Sequence, residues 1–535
     1  MMKNVKLTLP ARGKWRIRFI IPGYPTFNIY TSIAKYTTAL GPVLLASVAA
    51  QNPQWEVEVI DENNFTAGEI RAEDGYPDHR YLQERFPADV VALYGGLSST
   101  IPRLTELARF YREQGCVTVA GGQHFFTGNA DEALTAGVDF LCFGEGEQTI
   151  AELLDAWSSG ADLAAVKGIA YREDGKTVFT EARRPPPVGE IVRLPTPDFS
   201  LLRYAKLTLY PVSWSRGCCM DCEFCTVKGN VRYPPSAYLT DQVITLHERF
   251  GATVFFIVDD LFGQKRADAL DFCRKIAAYQ QRLKVRFHFT VQIRLDKAGD
   301  TELLGAMRDA GIQVLAVGYE SPIAEELKAM NKCLRPEEMI ANTEIFHRAG
   351  FFVHGMFIFG YPAAPGVDFK MSVEDRENAY RSFIRRAKID TIQILLPVPL
   401  PGTELTARLE KQHRIFRRED IGLEYYDGNF QLFEPDAPLN AFETQRAAKR
   451  LMKRFYRLNS VFSMLFSLCT FPTLVFALPH LRKTWRLWFR NWRNSLWRLV
   501  GWRIIRRWQN SRNIEAFSEK LRLAQSQPRS CEGNG

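Results

Sequence analysis

Two successive series of strand-like and helix-like segments, parted by a proline-rich stretch, constrain the fold of this 535-residue chain more than any other feature. In the first series, apolar runs at 15–21, 56–60, 89–94, 116–120 and 138–143 alternate with helix-length stretches at 36–51, 101–114 and 148–157. Buried strands alternating with helices predict a doubly wound parallel sheet. Such sheets bind ligands beyond the carboxyl ends of their strands. Those ends carry 61–65, Gly95-Gly96-Leu97-Ser98-Ser99-Thr100, Gly121-Gly122-Gln123-His124 and Gly144-Glu145-Gly146-Glu147, rich in small residues that let a ligand approach the backbone. Residues 171–203, with Pro185-Pro186-Pro187, read as an extended linker. The second series has strand candidates at 208–214, 253–258, 285–291, 313–317, 352–359 and 391–396, with helices such as 267–279 and 336–349 between them. The expected division is a first α/β domain over 1–165, a linker over 166–203, a second α/β domain over 204–435 and a helical region over 436–535.

Length alone asks for more than one core. Hydrophobic content of 46% with 24% charged residues is ordinary for globular chains. Ten cysteines in 535 residues do not make a disulfide scaffold, and no charged-then-apolar leader opens the sequence, so a cytoplasmic setting with reduced thiols is expected. The net charge of +9 has one source: residues 481–512 hold ten Arg or Lys and no acid, which points to a local anionic partner.

The chemistry-bearing motif follows the first strand of the second series. The run Trp214-Ser215-Arg216-Gly217-Cys218-Cys219-Met220-Asp221-Cys222-Glu223-Phe224-Cys225 spaces Cys218, Cys222 and Cys225 as C-x3-C-x2-C. A 4Fe-4S cube takes four thiolates, so a local trio leaves one iron open. Clustered cysteines also suit zinc, but a second C-x-x-C or H-x-x-x-H partner is missing. Cys219 is off the spacing and reads as a packed thiol.

The run resembles the signature of the radical S-adenosylmethionine (SAM) superfamily. That resemblance implies a partial (β/α)6 barrel over the second series, with chemistry at the carboxyl ends of its strands. It implies a 4Fe-4S cluster whose open iron is chelated by SAM, and one-electron cleavage of SAM to a 5′-deoxyadenosyl radical. Val258-Asp259-Asp260-Leu261-Phe262 stands where many radical SAM proteins have a Gly-Gly-Glu run that meets the SAM ammonium; this chain has acids instead, as relatives with cobalamin domains often do, so Asp259 or Asp260 serves there or caps a helix. Val317-Gly318-Tyr319-Glu320-Ser321, followed by Met330-Asn331-Lys332, resembles the family segment G-x-E-S, which assigns Glu320 and Ser321 to SAM. Arg294 pairs with the SAM carboxylate or makes an ordinary salt bridge near Asp296.

Ahead of such a loop, the ordered small-residue strand ends resemble the cobalamin-binding domain of cobalamin-dependent radical SAM proteins. By resemblance Ser98, Thr100, Gly121 and Gly122 hold the cobalamin nucleotide tail. The D-x-H-x-x-G motif whose histidine ligates cobalt in many such domains is absent, and His79 and His124 read as ordinary loop histidines. Hopanoid methylases and the anaerobic Mg-protoporphyrin monomethyl ester cyclase group belong to the same resemblance.

Two segments near the end of the chain remain. Residues 461–478 lack charge and carry Pro472, which fits a short membrane span, a buried helical pair or a re-entrant segment. Beyond them, Trp485, Trp488, Phe489, Trp492, Leu496, Leu499 and Val500 share one helix face, and Lys483, Arg486, Arg490, Arg493, Asn494 and Arg498 the other, with Trp497 out of pattern. Such a helix fits a membrane interface better than nucleic acid, and better than docking on its own protein.

The expectation is a radical SAM enzyme, anaerobic in operation, that methylates an unactivated carbon of a lipid-like substrate with cobalamin. A flavodoxin- or ferredoxin-type reductant and the inner membrane face are its expected partners. Radical cyclisation without methyl transfer, and a membrane-tethered iron–sulfur sensor, are the alternatives.

Overall fold

A computed structural model describes residues 7–457, 485–509 and 512–526. The candidate span at 461–478 and Lys483 lie outside the described residues. Among those described, no helix is long and apolar enough to cross a membrane.

The first sheet contains β1 (Trp15–Ile21), β2 (Trp55–Asp61), β3 (Val90–Tyr94), β4 (Val117–Gly121), β5 (Phe140–Cys142), β6 (Ile169–Glu173), β7 (Lys176–Phe179) and β8 (Leu202–Arg203). Its order is β7-β6-β5-β4-β3-β1-β2-β8. Strands β1 to β5 and β8 pair in parallel, while β6 and β7 add an antiparallel hairpin. The period of two along β3 sorts its side chains: Val90 and Ala92 enter one core, Val91 and Leu93 another. Helices Leu40–Ala49 and Glu147–Ser159 cover the first face, and Ile101–Glu113 the second. This is the doubly wound arrangement, and its strand order reverses between β1 and β3, where such folds bind ligands.

The stretch read as a linker, 171–203, differs from an extended spacer at both ends. Its start belongs to the β6–β7 hairpin, and its end is β8, paired with β2 on the far edge. The chain thus crosses the whole sheet before the second unit begins.

The second sheet is β9 (Tyr210–Val212), β10 (Val254–Ile257), β11 (His288–Gln292), β12 (Ile312–Glu320), β13 (Phe352–Ile358) and β14 (Thr391–Leu395). All pairs are parallel and their order follows the sequence, as in a partial (β/α)6 barrel. Helices Ser236–Phe250, Arg266–Leu283, Thr301–Asp309, Pro336–Arg348 and Val373–Arg386 lie between the strands. Local chemistry sets their ends: Pro336 opens one helix at a position that needs no amide, and Ser372 caps Asp375 N of another.

The C-terminal helices correct one expectation. In helix Trp485–Gln509 the residues Ile505 and Trp508 are buried. Arg498, expected on the outward basic face, donates to the Ile389 and Asp390 carbonyls at 3.3 and 3.4 Å and lies 4.6 Å over the Phe455 ring. This half of the helix docks on its own protein. Carbonyls just before β14 offer the cation acceptors that a count of acidic residues does not reveal. Leu496, Trp497 and Val500 remain exposed. The side chains of Trp485, Arg486, Trp488, Phe489, Arg490, Trp492, Arg493 and Asn494 lie outside those described.

Candidate functional site

The carboxyl ends of β9 to β12 surround a cavity of about 300 Å3. Cys218, Cys222 and Cys225 line it together with Asp260, Arg294, Glu320, Lys332 and Met356. The cysteine loop leaves β9 through Gly217, whose φ is +91° and whose Cβ, if present, would stand 2.9 Å from the Asn230 carbonyl oxygen. Only glycine turns the chain there without strain. An antiparallel bridge between Arg216 and Arg232 closes the loop's base.

Asp259 and Asp260 part company. Asp259 Oδ1 accepts from Trp214 N at 2.7 Å and Ser213 Oγ at 3.1 Å, and Oδ2 accepts from Ser215 N and Oγ, both at 2.8 Å. It is buried behind the loop and braces it, and burial pushes its carboxyl up to about 6 against those hydrogen bonds. Asp260 faces the cavity, with its pKa raised by burial.

Glu320 and Ser321 diverge as well. Ser321 is fully buried and bonds Glu326, which Arg376 and Tyr380 also hold, so it stands in a support network away from the cavity. Glu320 turns into the cavity because its backbone is left-handed, φ +58°, at a register shift between β12 and β13. It meets Lys332 Nζ at 2.9 Å. Burial works against the charge on Lys332, but Glu320 and the thiols of Cys222 and Cys225 outweigh it and raise its pKa. Arg294 reaches Asp296 at 3.2 Å and Met220 Sδ at 2.6 Å from the cavity wall.

Burial raises the pKa of all three cavity thiols, and at Cys222 Lys332 is the largest opposing influence. Cys219 is exposed, not packed as expected, and does not line the cavity. Among the described residues no three His, Cys, Asp or Glu side chains converge as a single ion requires. A cube takes each thiolate on a different iron, so its ligands need not converge. The donor set fits such a cluster, and acids beside cations fit the ammonium and carboxylate of an amino-acid ligand.

Several groups at the site carry no motif of their own. Lys332 ends the Met330-Asn331-Lys332 run, whose spacing assigns it no role. Glu223, inside the cysteine loop, accepts from Arg408 at 2.6 and 2.8 Å and from Tyr361 Oη at 2.6 Å. Arg216 donates to Glu145, in the loop after β5, and to Glu147, the first residue of the helix that follows, each at 2.6 Å, and Arg232 also pairs with Glu145. The first sheet's loop thereby grips the base of the cysteine loop.

Beside the first sheet's switch point the loops after β3 and β4 are stitched together. Gly95 N donates to the Gly121 carbonyl at 2.8 Å, and His124 N to the Gly95 carbonyl at 3.0 Å. Gly122 has φ +133°, and a Cβ there would lie 2.6 Å from the Gly95 backbone. Ser98 Oγ meets His124 Nδ1 at 2.9 Å, and Thr100 Oγ1 donates to the Leu97 carbonyl at 2.9 Å. The turn Leu423–Tyr425 lies against Ser98–Thr100. Burial pushes the His124 imidazole down to about 4. His79 has both ring nitrogens engaged, with Tyr111 at 2.7 Å and Glu62 at 3.1 Å. Ser99 Oγ, beside Ser98, and Thr149 Oγ1, after the β5 loop, are buried without a hydrogen-bond partner among the described residues. Orphaned hydroxyls at the ligand-binding end of such a sheet are a feature that a bound group resolves.

Residues 212–416 match the Radical SAM superfamily. An uncharacterised methyltransferase of Pyrococcus horikoshii is 26% identical over 73% of this chain and 82% of its own length. The hopanoid C-2 methylase of Rhodopseudomonas palustris is 27% identical over 46% of this chain and 45% of its own. Among solved structures, the radical SAM methyltransferase TsrM of Kitasatospora setae, determined with cobalamin and a [4Fe-4S] cluster bound, shares the fold. Its TM-score is 0.60, at 17% identity over 75% of each chain.

Proposed function

We propose that this radical SAM enzyme methylates an unactivated carbon, with a 4Fe-4S cluster on Cys218, Cys222 and Cys225, SAM beside it and a cobalamin between the two sheets. The observation that carries the reading is one cavity in which three thiols share walls with Asp260, Arg294 and the Glu320–Lys332 pair. Bound there, cluster and SAM supply hydrogen abstraction, and cobalamin supplies the methyl group. The chain's own residues do the placing. Gly217 and Asp259 fix the cysteine loop; Asp260 and Glu320, which line the cavity, would hold the ammonium and ribose of SAM, and Arg294 would pair with its carboxylate. Ser98, Thr100, Gly121 and Gly122 are the expected cobalamin contacts, supported by the orphaned Ser99 hydroxyl beside them.

The methylation reading is supported by relatives named as methyltransferases. Its substrate we take to be lipid-like and met at a membrane surface on the cytoplasmic side. Exposed Leu496, Trp497 and Val500 share helix Trp485–Gln509 with exposed Arg503 and Arg507, the mixture that suits an anionic interface. A flavodoxin- or ferredoxin-type protein is the proposed electron donor.

The test is anaerobic turnover of reconstituted protein with dithionite, cobalamin and methyl-labelled SAM, in the presence of a total lipid extract. Label in an extracted lipid, with 5′-deoxyadenosine formed, is the expected result. Deoxyadenosine without labelled lipid would favour radical cyclisation, and no deoxyadenosine would favour a sensor. Co-sedimentation with phosphatidylglycerol vesicles but not phosphatidylcholine vesicles tests the membrane half separately.

A further inference from the structure

Of the Glu320–Lys332 ion pair in the cavity, Lys332 has no role in the proposed chemistry. Lys332 Nζ lies 2.9 Å from Glu320 and 6.0 Å from the centre of the Phe224 ring, the residue before Cys225. Both arms of the pair are aimed by left-handed backbone. Glu320 has φ +58°, and so does Asn331, the residue before Lys332. Asparagine visits this region readily, whereas a glutamate adopts it at an expense of order 1–3 kcal/mol, and the structure must hold it there. Asn331 is held by a 2.7 Å bond from its Nδ2 to the Asp221 carbonyl inside the cysteine loop, and the Glu223 amide of that loop donates to the Met330 carbonyl at 3.3 Å. The segment bearing Lys332 is therefore fastened to the loop bearing the thiols. With side-chain exposures of 19% for Lys332 and 12% for Glu320, the pair is largely shielded from water, so removing either charge leaves the other less damped than at the surface.

We propose that Lys332 is a positioning residue for charge at the cluster: its ammonium, steered by Glu320, favours the reduced cluster over the oxidised one. The proposal rests on the cluster assignment above and deepens it. The step is a one-electron reduction: the cluster gains an electron from dithionite through mediators, no proton is taken up, and dithionite is oxidised. Adding an electron makes the cluster more negative, so a nearby cation raises its potential and an uncompensated carboxylate lowers it. Opposite signs are therefore expected from the two arms of one ion pair. A purely structural role would move both variants the same way.

The experiment is an EPR-monitored redox titration of the reconstituted full-length protein without SAM, for wild type, Lys332→Met, Lys332→Arg and Glu320→Gln. At a fixed potential, Lys332→Met is expected to lower the ratio of reduced to oxidised cluster at least tenfold, about 59 mV for a one-electron couple. Lys332→Arg is expected to stay near wild type, and Glu320→Gln to raise the ratio. Superimposable Lys332→Met and wild-type titrations would overturn the proposal, as would shifts of the same sign in Lys332→Met and Glu320→Gln. If Lys332→Met takes up no iron, Glu320→Gln decides alone, and an unraised ratio there overturns it. Wild-type protein that assembles no cluster refutes the cluster assignment and this proposal together, whereas a normal cluster with unmoved potentials refutes only this proposal.

Discussion

At the carboxyl ends of β9 to β12 the surface is made of charge and sulfur, while at the ends of β1, β3 and β4 it is made largely of backbone. The first region spends Cys218, Cys222, Cys225, Asp260, Glu320 and Lys332 on one cavity. The second brings Gly95, Gly121 and Gly122 into direct backbone contact and leaves Ser99 without a partner. A ligand held by thiolates and ion pairs leaves residue-specific marks. A ligand held by close backbone approach leaves glycines, which any doubly wound sheet also has. The two regions therefore fail differently when mutated.

The largest expected effect is in the first. Replacing Cys222 by Ala should remove nearly all cluster iron and turnover, since two thiolates cannot hold a cube whose local ligands number three; iron analysis after reconstitution reads it. Retained iron would put the ligands elsewhere. The next is in the second region. Gly122→Ala places a Cβ against the Gly95 backbone at a left-handed φ, a cost of about 1–3 kcal/mol. The expected outcome is a lowered melting temperature and lost cobalamin uptake with iron content unchanged. Loss of iron as well would mean that the two regions are one cooperative unit.

The seam between them supplies a pH test. Asp427 accepts from Asn28 Nδ2 at 3.1 Å across the two units, and burial pushes its carboxyl up to about 7. A raised pKa means that its favourable contribution is complete below the ordinary value of 3.8 and is lost as pH rises through about 7. Asn cannot ionise, so the stability of Asp427→Asn relative to wild type should rise by about 1.4 kcal/mol per pH unit within that window. Urea unfolding at several pH values measures it, and a constant difference would contradict the assignment. The smallest effect belongs to the grip of Glu145 on Arg216 and Arg232 at the base of the cysteine loop. Burial pushes the Glu145 carboxyl up, but Arg232 and Arg216 hold it below its usual range. Glu145→Gln should cost about 1 kcal/mol and quicken iron loss to a chelator. An unchanged rate would leave the cysteine loop independent of the first sheet.

Much of this was legible from residues. The strands of both series lie within a few positions of their apolar runs, because buried parallel strands read as continuous hydrophobic stretches. The cysteine loop was legible because its spacing is chemical. Asp259 and Asp260 were not separable, since adjacent loop residues point apart by an amount that only the fold decides. Ser321 was misplaced for the same reason: the left-handed turn at Glu320 sends the acid inward and the hydroxyl into the Glu326–Arg376 network. Lys332 was invisible because its meaning is a contact with a residue twelve positions away, not a spacing. Arg498 was read as outward because its acceptors are backbone carbonyls, which no sequence pattern displays.

In the proposed chemistry, Cys218, Cys222 and Cys225 would leave one iron of the cluster free for SAM. The direct measurement is the EPR spectrum of the dithionite-reduced, reconstituted protein before and after adding SAM. A 4Fe-4S signal whose g values shift on addition is the predicted result. A cluster signal indifferent to SAM, or no cluster signal at all, would contradict it.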